Sequence, residues 1–96
     1  TGGTRSGTRL SCPVPNPMEA ATEIVYAIAV PGHVRLAIFD AQGRRVRTLR
    51  DRMEGDGTNA VSWDGRNEAG ERVARGVYWC RFDAPGYEGS ERIVVR

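Results

Sequence analysis

Ninety-six residues, 40% of them hydrophobic, make a single domain that can close one core and is too apolar to stay disordered. The net charge is only +2, from 14 basic and 12 acidic residues, and the longest apolar run, Ile24 to Val30, is far shorter than the roughly 20 residues of a membrane-spanning helix. All the cations are Arg, with no Lys; a planar donor fork suits phosphate or carboxylate recognition, but a composition bias of the source genome explains the same pattern more simply.

The opening stretch from Thr1 to Thr8 is rich in Gly, Ser and Thr, as a flexible linker is. The chain starts at Thr1 rather than Met and shows no signal peptide, which suggests a piece of a longer precursor with its partner domain upstream. Residues 1–13 therefore read as linker and possible first strand, and residues 14–96 as the folded body.

Pro15-Asn16-Pro17 delivers the chain into a strand, because Pro fixes φ and cannot donate to a ladder. From Thr22 to Val30, residues Ile24, Tyr26, Ile28 and Val30 share one face at period two. Pro31-Gly32-His33 reads as a turn, after which Val34, Leu36 and Ile38 repeat the alternation. Pairing Val30 with Val34 sets Ile28 against Leu36 and Tyr26 against Ile38 on one core face. The opposite face then pairs Val25 with Phe39, Ala27 with Ala37 and Ala29 with Arg35. That face is apolar where polar residues are usual, so Val25, Ala27, Ala37 and Phe39 are candidates for a docking face.

Asp40-Ala41-Gln42-Gly43 reads as a second hairpin turn with Gly43 at positive φ. A strand over Arg44 to Leu49, anchored by Val46, follows, then a polar loop from Asp51 to Gly57. Thr58 to Trp63 is a strand carrying Val61 and Trp63 on one face, and Asp64 to Glu71 a long connection of turn residues. Val77 to Phe82 is a strand with Tyr78, Cys80 and Phe82 inward; Ala84 to Gly89 turns the chain, and Ser90 to Arg96 closes the sheet. No helical period appears. About seven short strands predict an all-β fold, an antiparallel sandwich, with Ile24, Tyr26, Ile28, Leu36, Ile38, Val61, Trp63 and Tyr78 in its core.

Nothing in this pattern reads as catalytic. His33 has no second His and no nearby carboxylate to make a metal site or triad. Asp64, Asn67, Glu68 and Glu71 share a loop, but their spacing is not that of a calcium loop, and Asx turns account for them. No Ser lies in Gly-x-Ser-x-Gly and no Gly-rich loop leads into a helix, so no enzyme, cofactor or metal is expected. Arg44, Arg45, Arg47, Arg50 and Arg52 are followed at once by Asp51, Glu54 and Asp56 without interleaved aromatics, which reads as a solvated face rather than a nucleic-acid surface. Cys12 and Cys80 are either joined in a disulfide or separately buried as small hydrophobes. A bridge would close a loop of about 68 residues, worth on the order of 4 kcal/mol in the chain-entropy model.

Together, Pro15-Asn16-Pro17, Thr22 to Tyr26, Val34 to Asp40 with Gly43-Arg44, Val61-Ser62-Trp63-Asp64-Gly65, Arg75-Gly76-Val77-Tyr78 and the terminal strand resemble the C-terminal sorting domain of type IX secretion cargo. The same strand pattern is shared with the Ig-like domain of the flagellar hook-capping protein. The resemblance covers Val14 to Arg96, with Met18 where an aromatic is frequent and Arg92 and Arg96 where Lys is. It implies an Ig-like sandwich at the end of a secreted or cell-surface protein that passes through the periplasm. The partners it implies are an upstream domain of the same polypeptide and outer-membrane secretion machinery, with Ile93, Val94, Val95 and Arg96 as candidate sorting signal. A hook-cap structural domain, or an accessory carbohydrate- or partner-binding sandwich of a secreted hydrolase, are the alternatives.

Overall fold

The computed structural model describes residues 7–96; of the expected linker, Thr1 to Ser6 lie outside them. The described residues form seven strands in order: β1 Arg9–Leu10, β2 Thr22–Ile28, β3 Gly32–Asp40, β4 Arg45–Glu54, β5 Gly57–Trp63, β6 Gly76–Ala84 and β7 Tyr87–Val95. They form a three-stranded sheet, β1-β2-β5, and a four-stranded sheet, β4-β3-β6-β7. Every pairing between named strands is antiparallel, so the all-β, antiparallel expectation holds.

The alternation in β2 and β3 marks the inward faces, as expected: Ile24, Tyr26 and Ile28 are buried on one sheet, and Val34, Leu36 and Ile38 on the other. The hairpin expected between them does not form. β2 pairs instead with β5, Val25 opposite Ala60 and Ala27 opposite Thr58, while β3 lies between β4 and β6. Val30, expected to share the inward face with Ile28, is 55% exposed, because residues 29–31 form the crossing between layers. Period two tells which way a side chain points but not which strand lies beside it. Two apolar faces bury each other equally well across a gap of about 10 Å as side by side.

The Asp40–Gly43 turn forms as expected, with Asp40 N–H donating to the Arg44 carbonyl at 2.9 Å and Gly43 at φ 83°. β4 runs on to Glu54, beyond the expected Leu49, and is irregular against β3 at Leu36/Ala37 and Ile38/Phe39. Those shifts leave Leu49 and Val46 without a partner across the ladder, and both pack partly against the core. Val61, expected in the core, also only borders it.

Trp63 is fully buried, meets Tyr78 edge-on at 5.7 Å between ring centroids, and donates its indole N–H to the Arg66 carbonyl at 2.9 Å. Gly65 sits at φ +74° with the Met18 methyl 3.3 Å from where a Cβ would lie. The Trp63-Asp64-Gly65 motif thus turns the chain and receives Met18 in one place. Tyr78 Oη donates to the Ala74 carbonyl at 2.6 Å, as the tyrosine corner of Ig-like sandwiches does.

The N-terminal segment closes one seam of the sandwich. Leu10 pairs with Tyr26, joins the core, and its N–H donates to Tyr87 Oη at 3.1 Å. Farther on the segment moves to β7, where Met18 bridges Val95 in parallel. Asn16 donates from Nδ2 to the Arg92 carbonyl at 2.7 Å and accepts from the Val94 N–H at 2.9 Å. The side chain of Asn16 stands where a neighbouring strand would.

Candidate interaction face

The polar residues that a sequence reader would test for chemistry are engaged by the fold. Asn67 Oδ1 accepts from the Ala69 and Glu71 N–H groups, both at 3.0 Å, and Asp64 Oδ1 from the Arg66 N–H at 3.1 Å. Glu68 caps the edge of β4: its Oε1 accepts from the Thr48 N–H at 3.1 Å, and its own N–H donates to the Val46 carbonyl at 3.1 Å. These are the Asx turns the sequence predicts, plus an edge cap that it does not. Among the described residues no group of three His, Cys, Asp or Glu is placed to hold a metal ion.

His33 does have a carboxylate beside it, contrary to expectation. Asp51, on the neighbouring strand, lies 2.5 Å from its Nε2 and 3.7 Å from Arg35 Nε. The contact needs the β3–β4 register and has no trace in local sequence.

Both thiols are free, Cys12 exposed and Cys80 buried. Glu91, directly across the ladder from Cys80, influences both. Its hydrogen bond and charge push the Cys12 thiol pKa up. Burial, helped by the Glu91 charge, raises that of Cys80 to about 12. Neither is poised as a nucleophile.

A buried polar latch joins the two sheets. Tyr26 Oη, from β2, reaches both carboxylate oxygens of Glu54 at the end of β4, at 3.1 and 2.9 Å. Arg52 Nε donates to the same carboxylate at 3.0 Å, and Arg50 Nε lies 4.0 Å from it. Burial first, then the Glu54 hydrogen bond, raise the Tyr26 pKa.

The four docking-face candidates do not share a face. Val25 and Ala27 are half-buried on the outside of the three-stranded sheet, opposite Ala60 and Thr58. Ala37 and Phe39 lie on the outside of the other sheet, where Ala37 is only 1% exposed. The outer pairs require a hairpin between β2 and β3, and the fold has a crossing between layers there instead. The terminal candidates divide too: Ile93 and Val95 are core, Val94 and Arg96 are not, and the Arg96 N–H donates to the Met18 carbonyl at 3.0 Å.

What stands out instead is one row across the four-stranded sheet. Phe39 lies opposite Arg45 on β4 and opposite Trp79 on β6, and Trp79 lies opposite Arg92 on β7. Directly opposed residues share a face, so the row reads Arg45, Phe39, Trp79, Arg92. A shallow cavity of about 340 Å³ beside it is lined by Phe39, Asp40, Ala41, Trp79, Arg81 and Ser90.

Comparison with known proteins assigns this fold. The family model of the FlgD Ig-like domain matches residues 19–84, which takes in β2 through β6 and hence strands of both sheets. The chain belongs to the FlgD Ig-like domain family. Solved FlgD structures share its architecture. FlgD from Pseudomonas aeruginosa aligns at TM-score 0.60 and 15% identity, over 93% of this chain and 72% of its own. FlgD from Xanthomonas campestris, described in connection with the hook capping essential for flagellar assembly, aligns at 0.59 and 25% identity, over 91% and 65%. The chain thus spans about two thirds of the FlgD chains it resembles. Pseudomonas fluorescens alkylpurine DNA glycosylase AlkC, solved with DNA containing an abasic-site analogue, shares the fold at TM-score 0.53 and 14% identity, over 98% of this chain and 32% of its own. No curated protein sequence matches. The match supports the flagellar side of the sequence resemblance and gives the type IX side no support.

Proposed function

We propose that this chain is a non-catalytic Ig-like structural domain of a FlgD-type hook-capping protein, working as part of a larger polypeptide with an upstream domain. The observation that carries the reading is the family match over residues 19–84. Likeness to Xanthomonas campestris FlgD adds to it, and so does the way Asp64, Asn67 and Glu68 serve turns and a strand edge rather than a ligand. The features that favoured a sorting signal have another cause: Ile93 and Val95 fill the core, so the apolar pattern of the last strand needs no receptor to explain it.

Removing residues 7–96 from the parent polypeptide in its source bacterium tests the reading. Loss of hooks by electron microscopy, with loss of swimming, is expected. Normal hooks would contradict it. Fusing the chain to a reporter in a type IX-competent bacterium distinguishes the sorting reading; the reporter is expected to stay in the periplasm, and surface delivery would restore the sorting reading.

A further inference from the structure

We infer that the outer face of the β4-β3-β6-β7 sheet is a docking surface for an acidic segment of another protein, apolar at its centre and carrying carboxylates to either side. The inference goes beyond the hook-cap reading and does not depend on it. It rests on register, exposure and charge.

The row Arg45, Phe39, Trp79, Arg92 crosses all four strands. At ordinary strand spacing its two Arg residues stand roughly 14 Å apart. Trp79 is 42% exposed, although an indole is among the costliest side chains to leave in water. Both Arg residues are exposed. Neither makes an ion pair among the described residues, whereas Arg81, one row away on the same face, is held by Asp83 and Glu88. Two unpaired guanidinium groups flanking two aromatic rings form a cationic rim around an apolar centre, the composition of a protein-binding hot spot. The next row beyond Trp79 and Arg92 pairs Val77 with Val94 and extends the apolar part.

Charge selects the occupant. Carboxylates complement Arg45 and Arg92. A second copy laid face to face would set Arg against Arg. A phosphate backbone continuing along the face past Arg81, itself held by Asp83 and Glu88, would meet those two carboxylates, paired across β6 and β7, and then Asp51, held with Arg35, so in that direction the face offers no unpaired cation. An acidic peptide segment lying across the row suits this charge pattern better than a nucleic-acid strand running along it.

The test uses the full chain, labelled for NMR, and a short synthetic peptide of alternating Glu and Leu around a central Phe. Saturable amide shifts confined to Arg45, Phe39, Trp79, Arg92 and their neighbours are expected, weakening as salt rises. Replacing the peptide's Glu by Gln, or using an Arg45→Gln/Arg92→Gln variant, should weaken binding about tenfold as charge-assisted contacts are lost. Trp79→Ser should abolish it, with the Trp63 indole signal reporting that each variant is folded. The inference is overturned by no binding, by equal affinity for the Gln peptide, by shifts on another face, by concentration-dependent self-association through this row, or by tighter binding of single-stranded oligothymidylate.

Discussion

The side chain of Asn16 pairs with the backbone of Val94, 78 residues along the chain, accepting its N–H at 2.9 Å while donating to the Arg92 carbonyl at 2.7 Å. β7 is an edge strand, and an open edge invites pairing with other chains. Asn16 plugs it with both halves of a strand's hydrogen-bonding pattern, and the chain then continues to Met18, which bridges Val95. Asn16→Ala should cost about 1–2 kcal/mol by urea denaturation, at roughly 1 kcal/mol per bond. Faster amide exchange at Val94 should accompany it. Asn16→Asp keeps the acceptor but loses the donor, so it should fall between. An unchanged midpoint and unchanged exchange would show the plug contributes nothing.

Trp63→Ala should cost about 3–5 kcal/mol, the range for removing a buried aromatic, because Trp63 is fully buried and bonded to Arg66. That is a large share of the roughly 5–15 kcal/mol available to a domain. Trp63→Phe retains most of the volume and chiefly breaks the indole bond, so a far smaller loss is expected. Equal losses for the two variants would mean the bond, not the packing, dominates.

Much of this was legible from pattern alone. Alternation at Ile24, Tyr26 and Ile28 and at Leu36 and Ile38 marks inward faces, and Asp40-Ala41-Gln42-Gly43 marks its turn, because both signals are local. The identity of a strand's neighbour is not local. Val30 and Val34 look like hairpin partners, yet a three-residue bend carries the chain to the other sheet. The burial of Met18 was hidden in a Pro-rich stretch that reads as loop. Each long-range feature, whether the Asn16 plug, the His33–Asp51 pair or the row from Arg45 to Arg92, depends on which residues stand opposite one another across paired edges. No single segment encodes that.

Tyr26→Phe should lower stability by about 1.5–3 kcal/mol, the range for a hydrogen bond to a charged group, since it removes the donor to Glu54. Glu54→Ala should cost more, because it strands the Tyr26 hydroxyl and removes the partner of Arg52 as well. A double-mutant cycle measures the coupling between them; a value near zero would mean the latch does not join the sheets energetically.

Alkaline pH should destabilise the fold. The Cys80 thiol titrates around 9 when unfolded and is pushed up to about 12 when folded. Between those values the unfolded chain releases a proton that the native one retains. The stability tied to this group is therefore complete below pH 9 and is lost as pH rises towards 12. Tyr26 and Tyr78, also raised by burial, act in the same direction at higher pH. Cys80→Ala should flatten the early part of the decline. At neutral pH a thiol reagent should modify Cys12 alone in the native protein and both thiols after unfolding without reductant; two unreactive thiols in the unfolded, unreduced chain would instead reveal a bridge.

The crossing between layers underlies everything else here, from the buried faces to the exposed row. Cross-strand Hα and amide nuclear Overhauser contacts test it directly. The account predicts contacts of Val25 with Ala60 and of Ala27 with Thr58, alongside contacts of Phe39 with Trp79. Contacts of Ile28 with Leu36 and of Tyr26 with Ile38 along one ladder would contradict it, placing β2 and β3 in a single sheet.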